Sequence, residues 1–468
     1  MSNEEVVSIV LCIFVVNKTT MMRKIALTVL LAASQLTMSA QFFCGPRVNQ
    51  DSLNRETRAD YENMKAQIGV TATHPRRDGK AADPALRPNY DELKANPYPF
   101  YPDPFTTFSG KKVKNARMWY KVRRPELRDF FEEHVYGREP KVVPAVKWTV
   151  KREYEGKVGS IEVVIRELSG LVDNTSCPSI TVDIQAQVMW PKGAKGPLPV
   201  IVDYSFMLGM PMAWGGQVPW QQQVLERGWA AAQFLPNSVQ PDAGHGLRRG
   251  IIGLCNKGEY RKPDDWGALR AWGWGVSRLI DYFETEPLFD ASKVAIEGVS
   301  RYGKSALVAM AFDERVATAM ICSSGRGGAP AWRRDCGEVL DNICGWDSYH
   351  WVAGNMIRYS SVDSNWDELP VDQHELIGLC APRPIFISVG AVTESEQWCD
   401  MNGTFISAAK ASEIYEFLGL KGLGTDLFPG VGRLLEGDIT FRQHPGGHEA
   451  GDNWGYFLDF FDKYVNKR

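Results

Sequence analysis

Two patterns of apolar and polar positions divide the chain. Along Val146–Arg152, Ile161–Leu168 and Thr181–Val188, apolar and polar residues alternate. That period of two predicts half-buried strands joined antiparallel. From about residue 198 the apolar runs become short and continuous: Pro199–Tyr204, Ala230–Leu235, Val294–Glu297, Thr318–Cys322, Pro384–Val389 and Ile439–Gln443. Such runs suit strands covered on both faces, as in a mostly parallel sheet. Between them, Trp266–Glu284, Lys304–Phe312, Phe405–Leu418 and Asn453–Tyr464 carry helical periodicity. Residues 112–138 read as helical and basic. The pattern predicts an α/β three-layer sandwich with an antiparallel N-terminal extension on the same sheet.

The first part of the chain has a different character. Met22-Arg23-Lys24 is a short basic start, Ile25–Ala33 an apolar core, and Met38-Ser39-Ala40 ends in a small residue before Gln41. This is the form of an export signal, with translation beginning at Met21 or Met22. Val6–Val16 is too short to span a bilayer, which takes about 20 residues. The expected organisation is a signal region over 1–40, an extended proline-rich lead-in over 41–110 and one catalytic domain over 111–468. The expected location is periplasmic or secreted, with no membrane partner beyond the signal segment.

Charge and cysteine content narrow the function. A formal net charge of −3 over 468 residues, with no basic stripe, excludes a nucleic-acid footprint. Eight cysteines follow the signal, irregularly spaced and without a C-x-x-C pair. They leave room for one or two disulfides but predict no metal site and no cofactor. The expected state is a monomer.

The chemistry centres on Val294–Val316. An apolar run turns at Gly298-Val299-Ser300 and leaves as a helix, the form of the strand–elbow–helix that carries the serine of an α/β-hydrolase. The usual G-x-S-x-G is broken, because Tyr302 occupies the second glycine position. A nucleophilic serine needs a base, an acid to orient it and donors for an oxyanion. In α/β-hydrolases the order is Ser, acid, His. Downstream of Ser300 lie His350, His374, His444 and His448. His448 has the best setting, on the turn Pro445-Gly446-Gly447 after the last strand; His444 ends that strand and reads as structural. The acid belongs after Pro384–Val389, where Glu396 is preferred, Glu394 is the alternative and Asp400 reads as a helix cap. The Arg301 amide opens a helix, and its guanidinium could add a charged oxyanion donor. Lys304, one turn on, could meet substrate hydroxyls.

The string Gly298-Val299-Ser300-Arg301-Tyr302-Gly303-Lys304 resembles the G-C-S-R-x-G-K elbow of the glucuronoyl esterases, carbohydrate esterase family 15, and especially the bacterial members. Further segments recur in order: Trp266–Trp272, Ser324–Ala329, Gly337-Glu338, Leu369–Leu376, Ala381–Pro384 and Pro445–His448. The resemblance implies an α/β-hydrolase that cleaves, without a metal, esters between 4-O-methyl-glucuronic acid of glucuronoxylan and lignin alcohols. By position it implies Ser300 as nucleophile, His448 as base and Arg301 as oxyanion helper, with Lys304, Glu338 and Trp398 holding the uronate. Two departures matter. The elbow cysteine is Val299, and the fungal-type acid position is Ser323, which carries no charge. Bacterial members that place the acid after the penultimate strand direct attention to Glu396 or Glu394. An acetyl-xylan esterase with the same machinery, or a non-catalytic carbohydrate-binding relative decayed at Ser323, are the competing expectations.

Overall fold

The computed structural model describes residues 49–209 and 218–466. The signal-like segment and Cys44 lie outside the described residues. The chain divides into Met1–Arg55 and Glu56–Arg468. Of the first unit only 49–55 are described, and their helical residues begin helix α1 (Gln50–Ile68).

The second unit is built on a ten-stranded sheet. Its strands are β1 (Val146–Val158), β2 (Ile161–Val172), β3 (Asp183–Pro191), β4 (Leu198–Tyr204) and β5 (Ala230–Phe234), followed by β6 (Phe289–Val299), β7 (Val316–Cys322), β8 (Ile385–Gly390), β9 (Leu434–Leu435) and β10 (Ile439–His444). The spatial order is β1-β2-β3-β5-β4-β6-β7-β8-β10-β9. The pairs β1–β2, β2–β3, β3–β5 and β9–β10 are antiparallel. All pairs from β5 through β4, β6, β7 and β8 to β10 are parallel. This is the α/β-hydrolase fold with its antiparallel extension.

Why the central strands read as continuous apolar runs is visible in the packing. Val200, Val202, Ile296, Ala319, Ile321, Ile385 and Ile387 face one core. That core is closed by helices α3 (Ala268–Thr285), α4 (Arg301–Phe312), α5 (Gln373–Cys380) and α6 (Met401–Phe417). The intervening Ile201, Ala295, Met320 and Phe386 face the second core, covered by α2 (Trp220–Glu226) and α7 (Asn453–Phe461). Side chains alternate across a strand, so burial on both faces demands apolar residues at every position.

Three expectations change. Residues 50–68 are helical, not extended: Tyr61, Met64 and Ile68 recur at helical spacing and are buried, and the proline-rich stretch begins only beyond them. Helix α5 escaped notice because Gln373, His374 and Glu375 are buried along with its apolar residues, leaving no amphipathic contrast. The seven described cysteines are all free thiols, so no disulfide forms among the described residues. Among those residues, no helix is long and apolar enough to cross a membrane.

Candidate active site

The elbow takes the form the sequence suggested, with a different reason for its glycines. Ser300 follows β6 at φ 61°, ψ −132°, a left-handed region that L-residues avoid. Its amide donates to Cys322 O (3.0 Å), and Lys304 N donates to Ser300 O (3.0 Å). A Cβ on Gly298 would stand 2.4 Å from Tyr302 O; one on Gly303 would stand 2.9 Å from both Cys322 O and Gly298 O. The close approach between helix and strand therefore falls at 303 in this elbow. Position 302 points into the core, where the Tyr302 ring meets Phe206 (4.6 Å) and Trp272 (5.5 Å between centroids).

The ends of β6, β7, β8 and β10, neighbours in that order, carry Ser300, Ser323, the Glu396 turn and the His448 loop. The last two loops hold each other: Ala391 N donates to Gly446 O at 2.9 Å. Glu396 is fully buried. Its Oε1 lies 2.8 Å from His448 Nδ1, and its Oε2 accepts from Ser323 Oγ (2.5 Å) and from Gly390 N (2.9 Å). Burial alone would raise this carboxyl, but those hydrogen bonds outweigh it and hold the pKa below the usual range. The imidazole of His448 is about a third exposed. No hydrogen bond joins Ser300 Oγ to His448 among the described residues; such contacts often tighten only with substrate present.

The remaining candidates are elsewhere. Glu394 is exposed. Asp400 caps α6 through Gly403 N (2.8 Å) and pairs with Arg334 and Arg326, the structural role expected of it. His444 Nδ1 accepts from Gly446 N, and His374 Nε2 meets Pro102 O.

Arg301 Nη1 is anchored to Asp242 Oδ2 at 2.6 Å. The other carboxylate oxygen meets His350 Nε2 (3.0 Å) and accepts from Trp351 Nε1 (2.6 Å). Burial acts to raise the Asp242 carboxyl, yet His350 and Arg301 hold it far below its ordinary value. The guanidinium also lies over the Trp351 ring, 5.4 Å from its centroid. It is fixed at the mouth of the elbow by groups that the sequence did not single out for that purpose. The one available signal was position, since Asp242 follows β5 at the same edge of the sheet as the other loops.

Lys304, Glu338 and Trp398 come together. Lys304 Nζ donates to Glu338 Oε2 (2.9 Å) and Arg326 O (2.6 Å), and Glu338 N donates to Trp398 O (2.8 Å). Lys304 is therefore no solvated helix lysine; it is almost wholly buried. An ammonium has three donors, so one N–H remains beyond these two bonds. Arg326 N also donates to Glu338 Oε2 (2.9 Å), while Glu338 Oε1 has no partner among the described residues. The Trp398 side chain is half-buried beside them.

A family profile described as "Glucuronyl esterase, fungi" matches residues 174–419, more than half of the chain. The chain belongs to the glucuronoyl esterases of carbohydrate esterase family 15. Like the rest of that family, it is a carboxylic ester hydrolase. A family 15 glucuronoyl esterase from Teredinibacter turnerae is 34% identical, with a TM-score of 0.81 over 87% of this chain and 99% of that one. A 4-O-methyl-glucuronoyl methylesterase from Wolfiporia cocos is 37% identical over 72% of this chain and 76% of its own length. The chain spans 60% of the glucuronoyl methylesterase of Podospora anserina, at 28% identity over 68% of this chain.

Proposed function

We propose that this glucuronoyl esterase hydrolyses esters between 4-O-methyl-glucuronic acid of glucuronoxylan and lignin alcohols, as an exported enzyme, through Ser300, His448 and Glu396. One observation carries the reading: a buried Glu396 bonded to His448 Nδ1, on loops at the same sheet edge as the strained Ser300 elbow. A proton held on Nδ1 by Glu396 leaves Nε2 free to act as a base.

In this reading His448 takes the Ser300 proton as the hydroxyl attacks the uronate carbonyl. The Arg301 amide, at the start of α4, and the Asp242-anchored guanidinium stabilise the oxyanion. His448 then protonates the departing alcohol, and water resolves the glucuronoyl-enzyme by the same steps in reverse. The free N–H of Lys304 and the free Oε1 of Glu338 suit sugar hydroxyls, and Trp398 offers an apolar face to the ring. The likeness to glucuronoyl esterases favours the uronate over acetyl-xylan. The absence of charge at Ser323 leaves no gap, since Glu396 supplies the carboxylate.

Ser300→Ala should abolish hydrolysis of benzyl glucuronate with an unchanged thermal transition. Retained turnover would overturn the assignment of Ser300, and faster hydrolysis of acetylated xylan than of benzyl glucuronate would overturn the substrate.

A further inference from the structure

Cys399 contributes nothing to the mechanism above, yet its Sγ lies 3.6 Å from His448 Nδ1. Together with Glu396, these side chains place one sulfur, one nitrogen and one oxygen donor within 4.8 Å of one another. We propose that Cys399, His448 and Glu396 form a binding site for a thiophilic divalent cation of the zinc class, and that filling it switches the esterase off.

The donor set and spacing carry the argument. Thiolate, imidazole and carboxylate are the ligands zinc takes, at about 2.0–2.3 Å. In a tetrahedral site those bond lengths put neighbouring ligand atoms roughly 3.3–3.7 Å apart. The sulfur–nitrogen separation of 3.6 Å already fits. The 2.8 Å between Nδ1 and Oε1 is a hydrogen-bond distance, and it opens once the proton between them is displaced. Cys399 and Glu396 are buried and His448 is partly exposed, so the imidazole forms the entrance.

A second cluster, Glu92, Cys336 and Asp400, offers a thiol and two carboxylates but no imidazole, and fails the charge test. Its carboxylates are already bound by the Arg334 guanidinium, and Asp400 also by Arg326. Two fixed cations repel a third. Glu396 has neutral hydrogen-bond donors and a histidine instead.

Proton accounting gives the inhibition. The Cys399 thiol loses its proton to solvent as the sulfur–metal bond forms. Because that proton must leave, binding strengthens as pH rises. The His448 ring must offer the Nδ1 lone pair to the metal, and in neutral imidazole the proton then sits on Nε2. That is the nitrogen proposed to accept the serine proton. The cation also takes the Glu396 oxygen that orients the ring. The inhibitory effect rests on His448 as the base; the binding does not.

Full-length protein titrated with Co2+ should develop a thiolate-to-cobalt charge-transfer band in the near ultraviolet, which Zn2+ abolishes. The band should appear equally in Ser300→Ala and Cys336→Ala and be lost in Cys399→Ala and in Cys399→Ser, which keeps the size and removes the soft donor. Each protein is compared with its own metal-free turnover of benzyl glucuronate. Zn2+ should lower wild-type turnover at least tenfold, reversibly by chelator, and Cys399→Ala should need at least tenfold more Zn2+. No band at saturating Co2+, a band that survives in both Cys399 variants, or equal Zn2+ sensitivity overturns the proposal. Because the band is read on Ser300→Ala as well, failure of the esterase assignment would leave the binding result standing.

Discussion

Ser323 Oγ donates to Glu396 Oε2 at 2.5 Å while the other oxygen of the same carboxylate meets His448 Nδ1. Two strand ends, β7 and β8, thus meet on one carboxylate. A hydrogen bond to a charged group contributes about 1.5–3 kcal/mol. Ser323→Ala should therefore lower kcat/KM for benzyl glucuronate by roughly 10–100-fold, at about 1.4 kcal/mol per decade. Losing that donor disfavours the ionised form, so the Glu396 pKa should rise. The folded-state pKa of Glu396 lies below its ordinary value. Its contribution to stability is present above the ordinary carboxylate range and lost as pH falls through the folded value. Thermal unfolding between pH 7 and 3 should show the variant losing stability at higher pH than the wild type; coincident profiles would deny Ser323 this role.

Glu396 and Glu394 stand two residues apart, one buried against His448 and one in solvent. Glu396→Gln should cost about 10²–10⁴-fold in kcat, the scale of an acid–base partner. Glu394→Gln should stay within about twofold, since exposed substitutions away from such features have little effect. Steady-state kinetics on both variants decides, and a reversed ranking would move the acid to Glu394.

Asp242 and Arg301 should behave as one unit. Removing one oxyanion donor costs about 10²–10³-fold in kcat. Arg301→Ala and Asp242→Ala should each approach the lower part of that range. The double variant should be little worse than either single one, because each loss removes the same positioned guanidinium. Multiplicative losses in the double-mutant cycle would mean that Asp242 acts through His350 and Trp351 instead.

Gly303→Ala tests the displaced glycine. The added methyl would meet two backbone carbonyl oxygens at 2.9 Å, and neither is the end of a flexible side chain. Overpacking of this kind costs about 1–3 kcal/mol, so urea unfolding should shift accordingly and esterase activity should fall as the elbow moves. An unchanged midpoint would mean that the helix can retreat from Cys322 without loss.

The central strands and the mostly parallel character of the sheet were legible because burial on two faces leaves an unbroken apolar run, as at Val200–Val202 and Ile385–Ile387; their spatial order comes only from the fold. Helix α1 was obscured by its polar sequence and the prolines that follow, and α5 by its buried polar residues. At the site, chain order pointed to the loops that carry Ser300, Glu396 and His448, since each follows a recognisable strand. The supports were not legible. Ser323 looked like a loss, and only the fold brings its hydroxyl to a carboxylate 73 positions away. Asp242 reaches Arg301 across 59 positions and leaves no local pattern.

The pentapeptide 322–326 touches four members of the proposed machinery. Cys322 O holds Ser300 N, Ser323 holds Glu396, Arg326 O holds Lys304, and Arg326 N holds Glu338. A small displacement of this segment would be common to all four, and a common displacement cancels from the distances between them. The reacting groups and the sugar clamp would then keep register with one another while the surrounding protein fluctuates. Sequence drift is accordingly cheapest in outlying loops such as 425–433, which are mostly exposed and make none of these four contacts.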